Sequence, residues 1–366
     1  MKFASTTVWV SLAMMLFGVH GVQSADIGDW AKMKHILPRS YLCLRANQPV
    51  VVDGSLNDEV WKTASWSEPF VDIQGKGNTK PRYSTHVKML WDDDNLYLAA
   101  ELEDPQVWAT ITQRDAVVFQ DNDFEIFIDP DGDNHNYYEF ELNALNTLWD
   151  LFLERPYKDG VNARNEWDLV GIQHAVQIQG SLNNAKDRDR GWTIEIAFPW
   201  KSLGEHANRP SPPNEGDQWR INFSRVEWKT RVEKDQYVKL PGRREDNWVW
   251  SPQGVVDMHR PEMWGQVQFT SLPPAKARLL PDATAYGRSY LYQVYYAQRE
   301  FKSHYKRYAF TIDELGLDKE FNPRHLAWPL TLQHTEDGGY RATAEIRTWD
   351  GTQRWFIRQD GKLWSE

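Results

Sequence analysis

Asn122-Asp123-Phe124-Glu125-Ile126-Phe127-Ile128-Asp129, then Pro130-Asp131-Gly132-Asp133-Asn134, then Tyr138-Glu139-Phe140-Glu141-Leu142-Asn143 is the stretch that decides the fold. Apolar and polar residues alternate on both arms, as in half-buried strands, and the Asp/Pro/Gly/Asn run between them is turn chemistry. The stretch therefore predicts a β-hairpin. Phe124, Ile126 and Ile128 share one face with Tyr138, Phe140 and Leu142. By the period of two, Glu125, Glu139, Glu141 and Asn143 share the other.

The same texture extends outward. Val87, Met89 and Trp91 alternate up to a turn at Asp92-Asp93-Asp94-Asn95, and Leu96, Leu98, Ala100 and Leu102 alternate on the return. Further strands are expected at Ile194–Phe198, Trp219–Val226 and Gln266–Phe269. Several short strands with frequent turns predict an antiparallel β-sandwich of immunoglobulin-like type over 49–271, preceded by an N-terminal segment at 25–48. Pro273-Pro274 marks a boundary. Beyond it, Leu291, Val294, Tyr295, Phe301, Tyr305 and Tyr308 fall at helical spacing, which predicts one long helix over Arg288–Tyr308. Strands at Tyr340–Ile346 and Arg354–Arg358 complete a small α+β domain over 275–366, one helix on an antiparallel sheet. The chain is thus expected to be mainly β, in two domains.

Of 366 residues, 41% are hydrophobic and 26% charged, a globular balance that excludes a disordered chain. Asp and Glu number 52 against 42 Lys and Arg, for a formal charge of −10. With no Lys/Arg block, this excludes nucleic acid as a partner and disfavours an anionic membrane surface. The 19 tryptophans suit either aromatic β cores or surfaces that stack flat apolar ligand faces. Residues 1–24 carry Lys2, an apolar run from Val8 to Val19 and the ending Val22-Gln23-Ser24. They read as a secretory signal cleaved near Ser24, because the apolar run is too short to span a bilayer. A soluble secreted or periplasmic protein without membrane insertion is expected. Cys43, the single cysteine, allows no intrachain disulfide, and its setting Tyr41-Leu42-Cys43-Leu44 suits a buried inert thiol.

Taken in order, Val52-Asp53-Gly54-Ser55-Leu56-Asn57-Asp58-Glu59-Val60-Trp61, Val87 to Pro105, Asn122 to Asp129, Gly191-Trp192-Thr193-Ile194-Glu195-Ile196, Gly216 to Glu227 and Trp264-Gly265 resemble the family 9 carbohydrate-binding modules of the DOMON-like superfamily. The resemblance covers about 49–270. It implies a β-sandwich that binds the end of a sugar chain, commonly with bound calcium and without catalysis. In the family's sugar-binding members two tryptophans sandwich the sugar, while a glutamate, an arginine and an asparagine bond its hydroxyls. The resemblance puts the glutamate at Glu125 and the asparagine at Asn143. It puts Glu141 at the arginine position, Phe119 at the first tryptophan, and the second tryptophan near Met258, with Trp248, Trp250 and Trp264 close in sequence.

The polar face of the hairpin admits two readings: a solvated outer sheet face, or a ligand face. Three carboxylates on neighbouring strand positions repel one another and need cations, arginines or hydroxyl donors nearby. Arg225, which follows Trp219, Ile221 and Phe223 in alternation, is the candidate partner. Asp129, Asp131 and Asp133 resemble the start of a calcium loop, but Gly132 and Phe140 at the fourth and twelfth places exclude an EF-hand. An Asp/Gly turn and a structural calcium ion are the alternatives there, and no other cofactor is required. Trp248-Val249-Trp250 and Asp257-Met258-His259-Arg260 concentrate rings, imidazole and guanidinium in what should be a loop, a candidate binding rim. Met258 and His259 raise haem as a remote alternative, with no paired-cysteine attachment motif to support it.

The sequence thus predicts an exported carbohydrate-binding protein that works without catalysis. Recognition would combine aromatic stacking with hydrogen bonds from Phe119, Glu125, Glu141, Asn143, Arg225, Trp248, Trp250, His259 and Arg260. A separate glycan-degrading enzyme is the partner such a binder would serve. The enzyme alternative is glycoside hydrolysis by Glu125, Glu139 and Glu141, because two carboxylates about 5 to 10 Å apart are its requirement. The domain over 275–366 weakly resembles the headpiece of type IV pilins, from Tyr295-Tyr296-Ala297-Gln298-Arg299 and Asp360-Gly361, and is read either as a docking surface or as a cap on the sandwich.

Overall fold

The computed structural model describes residues 28–75, 77–160, 163–317, 326–349 and 351–366. The expected export signal at 1–24 lies outside them. The strands of the large sheet are β1 (Ser40–Arg45), β2 (Val71–Asp72), β3 (Thr85–Trp91), β4 (Asn95–Glu103), β5 (Asp123–Asp129), β6 (Tyr137–Asn143), β7 (Leu148–Leu153), β8 (Gln173–Gln179), β9 (Gly191–Pro199) and β10 (Gln218–Glu227). A separate hairpin, β11 (Thr230–Glu233) and β12 (Gln236–Lys239), intervenes before β13 (Asp246–Val249) and β14 (Gly265–Thr270) return to the sheet. The order is β7-β6-β5-β10-β14-β1-β3-β4-β9-β8, with β13 pairing β10 and β2. The sheet curls so that the two ends of this order face each other across one core. Both expected hairpins form, β3–β4 around Asp92 and β5–β6 with Ile126 opposite Phe140.

The sandwich is not antiparallel throughout, because β1 runs parallel to both its neighbours, β14 and β3. The chain enters β1 from the N-terminal segment rather than through a hairpin, so no tight turn dictates its direction.

The core is aromatic. Trp200, Trp219, Trp91 and Phe269 meet edge to face with centroids 5.4 to 6.5 Å apart, the geometry that ring quadrupoles favour. Cys43 is fully buried among them, and desolvation lifts its thiol well above the ordinary range, so it remains a protonated, unreactive group. Arg225 also points inward, opposite Phe124 and Trp248 in the register. Its guanidinium meets Glu227 at 2.9 Å and Asp104 at 3.5 Å, donates to Thr85 Oγ1 and the Glu103 carbonyl, and lies 5.7 and 5.3 Å from the ring centres of Tyr83 and Trp248.

The C-terminal unit is a long helix, Ala285–Tyr305, packed on a sheet of β15 (Leu326–His334), β16 (Tyr340–Thr348), β17 (Gly351–Arg358) and β18 (Leu363–Ser365). The helix sits three residues earlier than its apolar spacing predicts. Lys306 turns left-handed (φ 58°) and its N–H closes on the Lys302 carbonyl, which ends the helix before Tyr308. A short helix at Gly28–Met33 joins this unit, with Trp30 stacked on Tyr296 at 5.4 Å. The unit seats directly on the sandwich. Leu363 N–H donates to the Asp133 carbonyl, Asn134 Nδ2 to the Gly361 carbonyl, and Tyr295 and Arg299 both reach Asp159.

Trp250 shows how closely the curled sheet is packed. A methyl group built on Gly265 would lie 2.2 Å from the Trp250 ring. Gly265→Ala is therefore expected to destabilise the fold by about 1–3 kcal/mol, the usual cost of overpacking. Chemical denaturation checks this, and an unchanged midpoint would show that the Trp250 ring moves aside freely.

Candidate functional site

Alternation along β5 and β6 sends Asp123, Glu125, Glu139 and Glu141 to the side of the sheet away from the main core. In the register Glu125 faces Glu141, Asp123 faces Asn143 and Phe127 faces Glu139. Residues directly opposite on antiparallel strands have Cβ atoms about 5 Å apart, so this pairing brings like charges together. One carboxylate oxygen from each of Asp123, Glu125 and Glu141 lies within 4.8 Å of the others. The face is not solvated: Asp123, Glu125, Glu139 and Glu141 are 0%, 6%, 4% and 2% exposed. Ile73, Val249, Met258 and Trp264 cover the neighbouring part of the sheet in a second apolar cluster with Phe127, Tyr137 and Leu151.

Burial dominates the electrostatics. Desolvation, reinforced by mutual repulsion, pushes Asp123, Glu139 and Glu141 well above ordinary carboxyl values. Burial together with Glu245 lifts Glu125 to about 7. Glu141 accepts the Phe119 backbone N–H at 3.0 Å. Both oxygens of Asp123, and Oε2 of Glu139, are buried without a hydrogen-bond partner.

Half-buried aromatic rings border this acid floor. Phe119 stands at one edge, fixed by its N–H on Glu141 and by Trp228 Nε1 donating to its carbonyl at 2.8 Å. Lys239 from β12 lies 3.6 Å from the Trp228 ring centre. On the other side Trp149 faces Glu141 across β6–β7, and its Nε1 is a buried donor without a partner. His259 closes the far end, with Nδ1 2.9 Å from Tyr137 Oη, Nε2 3.9 Å from Glu139 and its ring against Tyr157 at 4.4 Å.

Among the residues singled out from sequence, the structure brings together Phe119, Glu125, Glu139, Glu141 and His259. Asn143 lies at the end of the same face, but all its hydrogen-bonding capacity is spent. Its Nδ2 donates to the Ile111 carbonyl and Asp121, and its Oδ1 accepts from Leu145 and Thr147. Arg225 is on the opposite face of the sheet and does not reach the acids. Trp248 and Trp250 are core residues. Arg260 is buried at the contact with the C-terminal unit, on Asp29, Asp257 and Tyr296. Asp129, Asp131 and Asp133 lie within 4.8 Å of one another in a turn whose carboxylates accept from Gly132, Asn134 and His135 N–H, with Lys362 2.9 Å from Asp133. Met258 packs in the second apolar cluster.

Sequence reading missed Asp123, although the period of two that groups Glu125 with Glu141 also includes it. It missed Trp149 too, whose place needs the β6–β7 register. Trp228, Lys239 and Tyr157 arrive from distant segments and left no local signal.

Burial lowers His259 to about 4, so its imidazole is neutral in the folded protein at neutral pH. A depressed value means that the stabilisation is complete above the ordinary imidazole value, near 6.5, and is lost as pH falls toward about 4. His259→Gln is expected to lose up to ~3 kcal/mol less than the parent between pH 7 and pH 4. Urea denaturation at both pH values measures this, and equal acid slopes would show that the imidazole protonates freely.

A family model described as carbohydrate family 9 binding domain-like matches residues 52–270. Endo-1,4-beta-xylanase A of Thermotoga neapolitana is 26% identical over 167 residues, 44% of this chain and 13% of that protein. Endo-1,4-beta-xylanase C of Paenibacillus barcinonensis is 32% identical over 152 residues, 42% of this chain and 12% of that protein. The chain thus spans about an eighth of the length of these relatives. A family 9 carbohydrate binding module from Caldicellulosiruptor kristjanssonii, solved in complex with cellotriose, matches 66% of this chain and 100% of its own with a TM-score of 0.44 and 15% identity. Because the family model takes in more than half of its residues, this chain belongs to the carbohydrate family 9 binding domain-like family.

Proposed function

We propose that the chain binds a carbohydrate, without cleaving it, at the aromatic-bordered acid floor of β5, β6 and β7. The observation that carries this reading is that Phe119 and Trp149 both adjoin Glu141 of the Glu125–Glu141 pair, one through a backbone bond and the other directly across the register. The axial C–H face of a pyranose is apolar and stacks on a ring, whereas its hydroxyls need polar partners at the edge. Phe119 and Trp149 are half-buried and reach the surface, whereas Trp149 Nε1 and the unpartnered oxygens of Asp123 and Glu139 lie beneath it. The acid floor favours neutral sugars over uronates, which would meet like charge.

Family membership supports the ligand class, and the xylanase relatives point to a glycan-degrading enzyme as the functional partner. We also propose that the protein is exported, on the strength of the charge and apolar run at 1–24.

Calorimetric titration of the mature protein with a panel of neutral oligosaccharides tests the reading. Saturable heat is expected with at least one sugar, and Phe119→Ala or Trp149→Ala should each weaken binding about tenfold, ~1.4 kcal/mol. Binding unaffected by either change would move the site elsewhere, and no saturable heat with any sugar would overturn the proposal. A steady heat rate abolished by Glu141→Gln would identify a hydrolase instead.

A further inference from the structure

We infer that the long helix of the C-terminal unit positions the Tyr157–His259 end of the proposed sugar site, with Tyr296 and Arg299 as the positioning residues. Neither residue bonds to the His259 ring. Instead they hold the two segments that build this end, the turn Tyr157–Asp159 and the run from His259 to Glu262.

Arg299 grips the first segment at two points. Its guanidinium donates to the Lys158 carbonyl at 3.0 Å and meets Asp159 at 2.8 Å, and Asp159 also accepts the Tyr295 hydroxyl at 2.6 Å. Tyr296 grips the second, its hydroxyl donating to Glu262 and accepting from Arg260 at 3.1 Å. Lys158 then ties the segments together, with Nζ 3.3 Å from Glu262 Oε2 and 3.4 Å from the His259 carbonyl. The Lys158 and Glu262 side chains are only 4% and 2% exposed, so water cannot replace a lost partner. Burial alone would raise Glu262, but Lys158 and Arg260 outweigh it and keep the group an anion. Removing the Tyr296 hydroxyl strips a donor from this buried carboxylate. Lys158 is drawn toward Glu262 to make good the loss, and away from the His259 carbonyl.

The surroundings of His259 carry the effect into the site. Its ring meets Tyr157 at 4.4 Å, Tyr137 Oη at 2.9 Å and Glu139 at 3.9 Å, and the further charges that act on it are Asp257, Lys158 and Arg260. Tyr157, Lys158 and Arg260 all belong to the two gripped segments. Tyr292 supplies an internal comparison on the same helix, because its hydroxyl donates to Asn134 at 3.2 Å, in the turn between β5 and β6, and to neither segment.

The consequence for a ligand rests on the proposed function, whereas the grip on His259 is measured without one. NMR of the His259 imidazole, assigned by the signal lost in His259→Gln, follows its titration in the full chain. Loosening either segment lets water reach the ring, so its pKa should rise by ~0.5–1 pH unit in Tyr296→Phe and in Arg299→Ala. Tyr292→Phe should leave it at the parental value. Tyr296→Phe keeps the ring that stacks on Trp30 and should melt close to Tyr292→Phe, so a shift confined to the former is not a loss of folding. Calorimetry with a neutral oligosaccharide that saturates the parent should show about three- to tenfold weaker binding in Tyr296→Phe and Arg299→Ala, and parental binding in Tyr292→Phe. The inference is overturned if His259 titrates as in the parent in both variants, if Tyr292→Phe shifts it equally, or if the sugar affinity of both variants is parental. Should no sugar bind the parent, the proposed function fails, and the His259 titration alone decides whether the helix sets this end of the sandwich.

Discussion

Burial of β5 and β6 on both faces forces their two alternating residue sets to be satisfied by different chemistry. Strands covered on both sides usually read as continuous apolar runs, because neither face meets water. Here Phe124, Ile126, Phe140 and Leu142 fill the main core, while Glu125, Glu139 and Glu141 are equally buried on the other side. The first set needs only shape. The second needs donors or counter-charge, which the surrounding segments supply sparingly: one N–H from Phe119 and a neutral imidazole from His259.

The strand β10 shows the same constraint resolved internally. Arg225 points into the core, yet Glu227, Thr85 and the Glu103 carbonyl accept its hydrogen bonds, Asp104 adds a second counter-charge, and the rings of Tyr83 and Trp248 lie beside it. A buried charge with such a set of partners is tolerated, whereas removing one partner leaves an uncompensated ion that costs several kcal/mol. The buried charge on the core side has its own counter-charges, whereas the acids of the outer face have no cation paired with them among the described residues. That asymmetry is why the outer face reads as the functional one.

The C-terminal unit occupies much of what remains of the sandwich rim. Asn134, His135, Asp159 and Arg260, in turns and loops that would otherwise face solvent, are bonded to the long helix, to the short N-terminal helix or to the loop around Asp360. Tyr292, Tyr295 and Tyr296 present hydroxyls from one helix face to the sandwich. Polar tips on large rings let this contact be packed and hydrogen-bonded together.

By itself the sequence determined the strand pattern, the two central hairpins, the long helix, the family resemblance and the grouping of Glu125, Glu139 and Glu141 on one face. All of these are local: a period of two, a period of 3.6, or an ordered series of motifs. The tertiary structure decided which side each isolated residue serves. Arg225 obeys the alternation faithfully, and that alternation carries it away from the acids it was expected to neutralise. Trp248 and Trp250 look like a loop rim in sequence, but strand pairing of β13 with β10 and the absent side chain at Gly265 draw them into the core. Trp149, Trp228 and Lys239 reach the site through pairings and loop returns far along the chain. Periodicity records the face of a strand, but not which distant segment covers that face, because covering depends on contacts between residues that share no local pattern.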